Sequence, residues 1–555
     1  MMKRQAAIPQ SECRQPRRRE CKGRTPNERS ERHIFCGDTL SDTALKAASE
    51  RYADSEPYKY VRLVDVFKRR KLLQVRKELM QLRSTFKETD LFKVFQTGDL
   101  AAIDPDNPEH AAALPRTLEL REAVYSDAFR TFVQRVTGCP PLTTKTDCSC
   151  NQYKQGGHLL CHDDVIGTRC ISYILYLSRP NKPWAPTCGG GLELYPLEPA
   201  ADGGMCQPSN VPSKVVPTDF GSMVLFVVTP GVSYHAVAEV LSAEPRISIS
   251  GWFHAATPPA GSDTAASLAQ LQAASGGSSS SCAAMRDLLP IGPKLLPRQE
   301  TQLATLVNPT YLMTSTIASV REQLKQQGAV QLASFITPAV AIAIGRAAAF
   351  ADRRDGVGGG RVPNYEAGIK RRGWGYVGPP QLQRYLRHRA QGTVEEPRGI
   401  GPLLQLLRQL AHAPPFVQLL SAFTGRVPIR CASEVRRFRP GLDYTLAHVG
   451  TLRGEEVLEA SFCFVDNSQS ASKLWDSGEV GGFECYVSAS EDDLAAAEVY
   501  RADASSEGVT SVHAMNNSLS LCMRPPHAMK FVKYVSAAAP GSRWDVAAEY
   551  VLGSQ

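Results

Sequence analysis

The chain alternates between stretches of helical periodicity and stretches of short apolar runs. Apolar residues recur at every third or fourth position in residues 60–91, and again from residue 302 to about 353. This spacing is typical of amphipathic helices. Short runs rich in aromatic and β-branched residues, bounded by glycine and proline turns, predict strands. These runs cover residues 171–177, 223–228, 246–253, 460–465, 481–487 and 530–535. The predicted order is therefore helices followed by strands, twice.

Strict alternation in residues 246–253 places polar side chains on one strand face. Arg246, Ser248 and Ser250 share that face, whereas Ile247 lies on the other. Short antiparallel strands joined by glycine and proline turns favour a sandwich or jelly roll, which can enclose a metal between its sheets. We therefore expect two domains of similar, mainly β architecture with flanking helices.

Length and composition divide the chain further. At 555 residues it is too long for a single hydrophobic core. We expect a disordered basic tail over residues 1–45 and a first domain over 46–255. An Ala/Ser/Gly-rich linker over 256–295 is expected to lead into a second domain over 296–555, which begins with helices.

The composition is ordinary for a soluble globular protein, with 43% hydrophobic and 21% charged residues. No apolar run reaches the length of a membrane span, and no secretory signal is recognised, so the 15 cysteines are expected to be reduced. The net charge of +8 includes the run Arg17, Arg18 and Arg19, which is either a nuclear localisation signal or part of a solvated tail. We expect no membrane partner, nucleic-acid contact only through this tail, and a location in the nucleus, the cytoplasm or both.

Five side chains of the first domain suggest a metal centre beside a bound organic acid. Two imidazoles and one carboxylate, from His162, Asp164 and His235, can occupy one face of an Fe(II) octahedron and leave the other positions open. Arg246 offers a planar, permanently charged group for the far carboxylate of 2-oxoglutarate, with the Ser248 hydroxyl on the same strand face. This arrangement is diagnostic of non-haem iron oxygenases, which use Fe(II), 2-oxoglutarate and O₂.

Each of these motifs also has a less specific interpretation. An isolated His-x-Asp recurs by chance, and His162 alone would more often be a hydrogen-bonded structural histidine. Asp163 competes with Asp164, but side chains two positions apart in extended backbone point to the same side, so Asp164 is predicted to join His162. Asp163 is then a supporting or surface carboxylate. His254 is another candidate imidazole, but its place beyond the arginine strand favours a structural role.

The candidate residues lie within longer, distinctive strings. These are Tyr153-x8-His162-Asp163-Asp164, RCISYILYL at 169–177, GGLELY at 190–195, SYH at 233–235, EVLS at 239–242, RISISGWFH at 246–254, and the segments 90–96, 308–312, 482–486 and 519–535. Together they resemble the eukaryotic ribosomal prolyl 3-hydroxylases, which hydroxylate a proline of the small-subunit protein at the decoding centre. The resemblance extends from about residue 60 to residue 552.

The resemblance implies an α+β, mainly β fold with two double-stranded β-helix (jelly-roll or cupin-like) domains, only the first of them catalytic. It implies that the hydroxyls of Tyr153 and Tyr176 also reach the co-substrate, with L-ascorbate as a candidate additional reductant. It further implies that the substrate and partner is a small ribosomal subunit protein. In the second domain Gly450 stands where the metal carboxylate would be, so His448 is expected to be structural.

Two other functions are consistent with parts of the sequence. The first is an oxygen-sensing binding protein that regulates translation or transcription through its second domain, but retention of all five site residues favours catalysis. The second is a nucleic-acid demethylase of the same oxygenase class. No interleaved basic and aromatic stripe near the active-site strands supports it. We therefore predict a dioxygenase that hydroxylates a prolyl residue, at C3, of a ribosomal protein.

Overall fold

The computed structural model describes most of the chain. The described residues are 34–200, 204–261, 285–292, 295–369, 373–389, 399–448, 451–488 and 509–553. The arginine run 17–19, the centre of the Ala/Ser/Gly-rich linker and Gly450 lie outside them, so the predictions made there stay predictions. Within these ranges, none of the helices combines the length and the apolar character that crossing a bilayer requires.

Helices flank the sheets in both halves, and their ends follow ordinary capping chemistry. The Ser41 side chain accepts a hydrogen bond from the Ala44 amide, and Ser126 accepts one from Phe129. Gly138, with φ of 68°, ends the second of these helices in the left-handed conformation. The helices are α1 Asp42–Ala53, α2 Arg69–Leu79, α3 Pro108–Ala113, α4 Pro115–Val124, α5 Asp127–Thr137, α6 Pro297–Ala304, α7 Thr314–Gln327, α8 Pro338–Asp355, α9 Ile400–His412, α10 Pro414–Thr424 and α11 Gln469–Ser477.

A first antiparallel sheet contains eleven strands of the described chain. Together with a separate two-stranded pair, β8 and β9, the strands are β1 Tyr60–Leu63, β2 Thr85–Glu88, β3 Phe92–Gln96, β4 Cys148–Tyr153, β5 His158–His162, β6 Arg169–Tyr176, β7 Leu192–Leu194, β8 Leu197–Glu198, β9 Gln207–Pro208, β10 Lys214–Val216, β11 Met223–Val227, β12 His235–Val237 and β13 Arg246–His254. The order across the sheet is β1-β11-β6-β13-β4-β3-β5-β12-β7-β10, with β2 beside β3.

Strand β13 organises this sheet because it pairs with β4 on one side and β6 on the other. Its register sets Arg246 opposite Tyr153 and Ser248 opposite Tyr176. The alternate side chain, Ile247, enters a core shared with the helices. The predicted alternation is confirmed, and it leaves the polar face of β13 directed away from that core.

A second antiparallel sheet of nine strands and a three-stranded sheet β22-β21-β24 form the rest of the described chain. Their strands are β14 Arg286–Asp287, β15 Ala329–Ala333, β16 Trp374–Val377, β17 Gln383–His388, β18 Pro428–Phe438, β19 Tyr444–Thr445, β20 Val457–Phe464, β21 Glu484–Ser488, β22 Val509–Val512, β23 Ser518–Arg524, β24 Ala528–Val532 and β25 Arg543–Leu552. Here β25 lies between β18 and β20, as β13 lies between β4 and β6.

The predicted tail over residues 1–45 is too long. Ile34 is fully buried, and the Phe35 ring stacks on Phe67 with 5.3 Å between centroids. Helix α1 then begins at Asp42. Residues 34–45 therefore belong to the folded protein, because their apolar side chains find partners that lie far away in the sequence.

Three other element boundaries differ from the sequence prediction. Of the expected helix over 60–91, only α2 is helical, because β1 pairs with β11 and β2 pairs with β3. Strand β15 interrupts the helical stretch 302–353 and pairs with β23. Strand β14 lies inside the expected linker 256–295 and pairs with β18. In each case a tertiary partner decides the local structure.

The two sheets pack against each other, and we call residues 34–261 the first unit and residues 285–553 the second unit. The Ala447 amide donates a hydrogen bond to Asp90, at 3.1 Å. Lys533 lies 3.2 Å from the Glu88 carboxylate and also donates to the Thr89 carbonyl. Both contacts are largely buried, so the units share an ordered interface.

Candidate active site

Three potential metal ligands meet at the end of β5 and the start of β12. His162 ends β5, His235 begins β12, and the two residues are direct partners in the antiparallel ladder. Asp164 follows two residues after β5. Its Oδ1 lies 3.3 Å from His162 Nε2, and its Oδ2 lies 3.4 Å from His235 Nε2. One ligand atom from each residue lies within 4.8 Å of the others, which is close enough to hold one ion.

Backbone hydrogen bonds fix the orientation of both imidazole rings. Nδ1 of His162 lies 2.8 Å from the Leu160 carbonyl, and Nδ1 of His235 lies 2.8 Å from the Ser233 carbonyl. Because a carbonyl only accepts, each Nδ1 carries the proton and each Nε2 presents a lone pair towards the cluster. This is the arrangement expected of metal-binding histidines.

The Asp164 carboxylate is held by groups on two other strands. Ser172 Oγ donates to Asp164 Oδ2 at 2.8 Å, and Trp252 Nε1 donates to the same oxygen at 3.2 Å. Burial would raise the pKa of this carboxyl, but the adjacent His235 and His162 hold it well below the usual value. The carboxylate is therefore ionised and oriented, as a metal ligand must be.

Asp164 reaches the cluster through a turn, and not through the extended backbone that was predicted from the sequence. It lies outside β5 with φ of 64°, a left-handed conformation, instead of continuing extended backbone. Asp163 accepts hydrogen bonds from the amides of Val165 and Gly231 and so braces the loop that precedes β12. The structure thus brings Asp164, not Asp163, to the histidines, although the reason is a turn and not strand alternation.

His254 lies away from the metal cluster. Its Nδ1 is 2.9 Å from Thr168 Oγ1, and its Nε2 is 3.2 Å from Asp147 Oδ2. His254, at the end of β13, thus contacts the loop after β5 through one ring nitrogen and the segment before β4 through the other. This is the structural role expected from its place in the sequence.

Arg246 forms a second, cationic part of the site. Its side chain is 1% exposed, and its Nη1 donates to Ser248 Oγ at 3.1 Å. The guanidinium carbon lies 5.0 Å from the Tyr153 ring centroid and 5.1 Å from that of Tyr176. Nε and Nη2 of Arg246 and the Tyr176 hydroxyl are buried without a partner among the described residues. These converging donors match a carboxylate, since buried donors and charges require partners.

Several site residues were not recognised from the sequence. Ser172 and Trp252 support Asp164, as described above. Tyr58, just before β1, is 8% exposed, has a buried hydroxyl without a partner among the described residues, and packs edge-on against Phe226. Phe226 in turn packs against His235 at 4.8 Å. Alternation along β6 could have indicated Ser172, because it shares a face with Tyr176, but no local signal marked Tyr58.

The donor set fits an iron centre with an organic acid beside it. Two neutral imidazoles and one ionised carboxylate suit Fe(II), and the unpaired guanidinium donors suit the far carboxylate of 2-oxoglutarate. Residues 148–254 match the model described as the 2OG-Fe(II) oxygenase superfamily. The fold and site therefore define a 2-oxoglutarate-dependent oxygenase, which uses Fe(II), 2-oxoglutarate and O₂.

Relatives define the family more closely. An Ostreococcus tauri protein named prolyl 3,4-dihydroxylase OGFOD1 is 39% identical over 91% of this chain and 97% of its own length. A Xenopus laevis prolyl 3-hydroxylase OGFOD1 is 27% identical over 84% of this chain and 80% of its own. The chain belongs to the OGFOD1 prolyl hydroxylase family.

Two further comparisons concern parts of the chain. Residues 298–555 match the model described as the oxoglutarate and iron-dependent oxygenase degradation C-terminal region. A solved Pseudomonas putida prolyl-4-hydroxylase is 19% identical over 38% of this chain and 98% of its own, with a TM-score of 0.24.

Proposed function

We propose that this enzyme hydroxylates a prolyl residue, at C3, of a small-subunit ribosomal protein. The observation that carries the proposal is the largely buried cluster of His162, Asp164 and His235, together with the unpaired donors of Arg246 in the same sheet. The family relationship supports prolyl hydroxylation, because relatives are named prolyl 3-hydroxylases and one is named a 3,4-dihydroxylase. The ribosomal substrate rests on the resemblance of the sequence strings described above.

In this proposal the protein supplies orientation and a shielded pocket. His162, Asp164 and His235 hold Fe(II) from one side, and Arg246 pairs with the far carboxylate of 2-oxoglutarate. The Tyr153 and Tyr176 hydroxyls and Ser248 complete the co-substrate contacts. When bound, the iron and co-substrate supply oxidative decarboxylation, in which 2-oxoglutarate and O₂ yield succinate, CO₂ and a hydroxylated C–H bond. The protein orients the reacting groups and excludes water.

We further propose that the first and second units are both double-stranded β-helix domains and that only the first is catalytic. Arg543 begins β25 as Arg246 begins β13, which supports a common architecture. However, Arg543 lies 2.6 Å from Glu484 and 2.9 Å from Asp545, and all three side chains are buried. Its charge is therefore neutralised within the unit, so Arg543 is not available to a 2-oxoglutarate carboxylate.

The decisive experiment measures hydroxylation of a peptide. Purified protein is mixed without oxygen with Fe(II), 2-oxoglutarate and a proline-containing peptide of a small-subunit ribosomal protein, and oxygen is then added. We expect a mass gain of one oxygen atom on the proline, and fragment analysis to place it at C3. A gain of two oxygen atoms would instead indicate dihydroxylation. His162→Ala and Asp164→Ala should abolish the gain, and a peptide with alanine at that proline should show none.

The same experiment separates catalysis from a binding role. A sensor or adaptor that regulates translation or transcription would bind a partner without modifying it. Succinate formation that rises when the peptide is added supports the enzyme, whereas unmodified peptide with unchanged succinate contradicts the ribosomal substrate. Imaging of the tagged chain tests the proposed nuclear or cytoplasmic location, and adding L-ascorbate to the assay tests its proposed role as reductant.

A further inference from the structure

A cavity of about 500 Å³ lies between the two units, on strands that carry the metal site. From the first unit it is lined by residues of β5, β7 and β12, including Cys161 and Ala236. These two residues are the immediate chain neighbours of His162 and His235. At its edge lie Val215 and Val362, which are 55% and 52% exposed. The cavity is thus large enough for a small organic ligand and accessible from solvent.

Two residues of the cavity wall, Thr218 and His158, each have a buried polar atom without a hydrogen-bond partner among the described residues. The Thr218 hydroxyl can donate or accept a hydrogen bond, whereas the free ring nitrogen of His158 can only accept one. His158 is 3% exposed, and its Nδ1 lies 2.9 Å from the Gly156 carbonyl, so Nδ1 carries the proton. Its Nε2 has no partner among the described residues. Burial lowers the pKa of this imidazole to about 3, so Nε2 is a hydrogen-bond acceptor at neutral pH. A ligand that donates one hydrogen bond would satisfy it.

The charged groups of the wall already have partners within the protein. Glu193 accepts hydrogen bonds from the Tyr195 and Tyr365 hydroxyls, at 2.9 and 2.8 Å. Arg384 donates to the Leu442 carbonyl from both Nε and Nη2, at 3.0 and 2.7 Å. Arg384 also lies 3.9 Å from Asp443, and Glu239, the third charged residue of the wall, accepts hydrogen bonds from Tyr534, Ser536 and the Ala537 amide. Since these charged groups already have partners, the cavity offers a charged ligand little attraction and would desolvate it at a cost.

Aromatic rings provide most of the remaining contact surface. Trp184, Tyr365, Tyr444 and Tyr534 line the cavity, and the Tyr534 ring lies 4.3 Å from that of His158. Aromatic walls favour flat apolar ligands through stacked and edge-on contacts. The lining therefore selects for a planar, uncharged molecule with at least one N–H or O–H group.

We propose that this cavity binds a neutral heteroaromatic small molecule that donates a hydrogen bond to His158 Nε2. We also propose that its binding is coupled to metal binding, because β5 and β12 contribute both to the cavity wall and to the metal cluster. The cavity would be a regulatory site distinct from the prolyl-substrate site. The inference does not depend on the identity of the hydroxylated protein.

Two probes of equal shape test the proposed chemistry. Indole carries an N–H donor, whereas benzothiophene has nearly the same outline and no donor. Isothermal titration of the full-length protein should show saturable binding of indole, at least about tenfold tighter than binding of benzothiophene, as expected for one hydrogen bond to a buried acceptor. His158→Leu should bring the two affinities together. Equal affinities in the unmodified protein would contradict the proposed role of His158.

Variants at the cavity edge test its location. Val362→Trp should block the cavity and weaken indole binding at least tenfold, and Val64→Trp provides a matched control. Val64 is 53% exposed and belongs to the first unit, away from the cavity lining. Undiminished indole binding to a folded Val362→Trp protein, or no saturable binding to the unmodified protein, would overturn the proposal.

Coupling is measured with Mn(II) as a stable substitute for Fe(II). Linkage requires that indole change the dissociation constant of Mn(II) by the same factor by which Mn(II) changes that of indole. We expect a factor of at least three, lost in Val362→Trp and kept in Val64→Trp. A factor of one with intact indole binding would retain the cavity site and overturn the coupling.

Discussion

At the scale of single residues, the site depends on how one carboxylate is held. Asp164 adopts a left-handed backbone conformation, and its Oδ2 accepts hydrogen bonds from Ser172 and Trp252. The histidines obtain their orientation from backbone carbonyls instead. Orientation of the carboxylate is therefore the part of the metal site most open to a single side-chain change.

Removing the Ser172 hydroxyl should weaken metal binding without unfolding the protein. Ser172→Ala deletes a donor 2.8 Å from Asp164, and loss of such a supporting contact typically costs about 10–100-fold in metal affinity or activity. Anaerobic titration with Fe(II) or Mn(II) measures the effect. Ser209→Ala is the control, because Ser209 is also buried and, among the described residues, its hydroxyl accepts a hydrogen bond from the nearby Val211 amide. Equal metal affinity in both variants would exclude the proposed role of Ser172.

Changing Arg246 should act on the co-substrate and not on the metal. Arg246→Ala removes a charge-assisted pair worth roughly 1.5–3 kcal/mol, so the KM for 2-oxoglutarate should rise at least about tenfold. Arg246→Lys should restore the KM only in part, since lysine keeps the charge but lacks the planar guanidinium group that binds a carboxylate through two hydrogen bonds. Steady-state kinetics with varied 2-oxoglutarate, alongside Mn(II) affinity, provide the test. An unchanged KM would rule out the proposed contact.

Residue types and spacing were sufficient to select His162, Asp164, His235 and Arg246 for the site. The structure brings the first three together and places Arg246 against Tyr153 and Tyr176. Asp164 was selected on the assumption of extended backbone, whereas it lies in a turn. Tyr58 could not be selected in the same way. Its place in the site depends on the pairing of β1 with β11, which involves residues far apart in the chain.

At the scale of elements, the segment before β7 lies close to β13, the strand that begins with Arg246. Gly189 and Gly190 have φ of 65° and 69°. A Cβ on Gly190 would lie 3.1 Å from Arg246 Cδ and 3.0 Å from Val240 Cγ2. The glycine therefore allows this backbone to pass against the guanidinium stem, and β7 can lie beside β12.

Gly190→Ala should impair use of 2-oxoglutarate through displacement of Arg246. The added methyl group faces both strain at positive φ and a contact that must give way. We expect a several-fold rise in the KM for 2-oxoglutarate together with a loss of stability of about 1 kcal/mol or more. Gly191→Ala is the comparison, because its Cβ meets only the half-exposed Val215 side chain. Identical kinetics for the two variants would argue against this effect.

Strand prediction succeeded where burial was nearly complete. The runs at 171–177, 223–228 and 246–253 correspond to β6, β11 and β13, which pair with one another at the centre of the first sheet. The short edge strands β1 and β15 were read as helix, since four or five residues carry little periodicity of their own. Their structure is decided by the partner strands β11 and β23.

At the scale of the whole molecule, Glu239 connects the first unit to the second unit. It lies shortly after β12, and its carboxylate accepts hydrogen bonds from Tyr534 Oη, Ser536 Oγ and the Ala537 amide, at 3.2, 2.6 and 2.7 Å. Burial raises its pKa to about 6, although these donors oppose the rise. The interface therefore contains a carboxyl group that titrates close to neutral pH.

Glu239→Gln should change how stability depends on pH. The folded-state pKa of about 6 exceeds the ordinary value of 4.5, so the folded state binds the proton more tightly. The stability contributed by this group is thus present below pH 4.5 and falls as pH rises through 6. From pH 7 to pH 4.5 the unmodified protein should gain roughly 1–2 kcal/mol relative to the glutamine variant.

Urea unfolding of both proteins across this pH range measures the difference. His158, with its lowered pKa, contributes a slope of opposite sign, but it is present in both proteins and largely cancels in the difference. If the free energies of unfolding of the two proteins differ by the same amount at pH 4.5 and at pH 7, Glu239 does not titrate as described. Ser536→Ala should raise the pKa of Glu239, and with it the pH at which the stability changes, because it removes a hydrogen-bond donor to the ionised carboxylate.

The two arginines that begin β13 and β25 have opposite thermodynamic consequences. Arg543 is compensated by acidic side chains of its own unit, so the melting temperature of that unit should not depend on 2-oxoglutarate. Arg246 Nε and Nη2 have no partner among the described residues. If they pair with the co-substrate as proposed, 2-oxoglutarate should raise the melting temperature of the first unit in proportion to the logarithm of its concentration above the dissociation constant. Calorimetry with increasing co-substrate should therefore shift one heat-absorption component to higher temperature and leave the other in place.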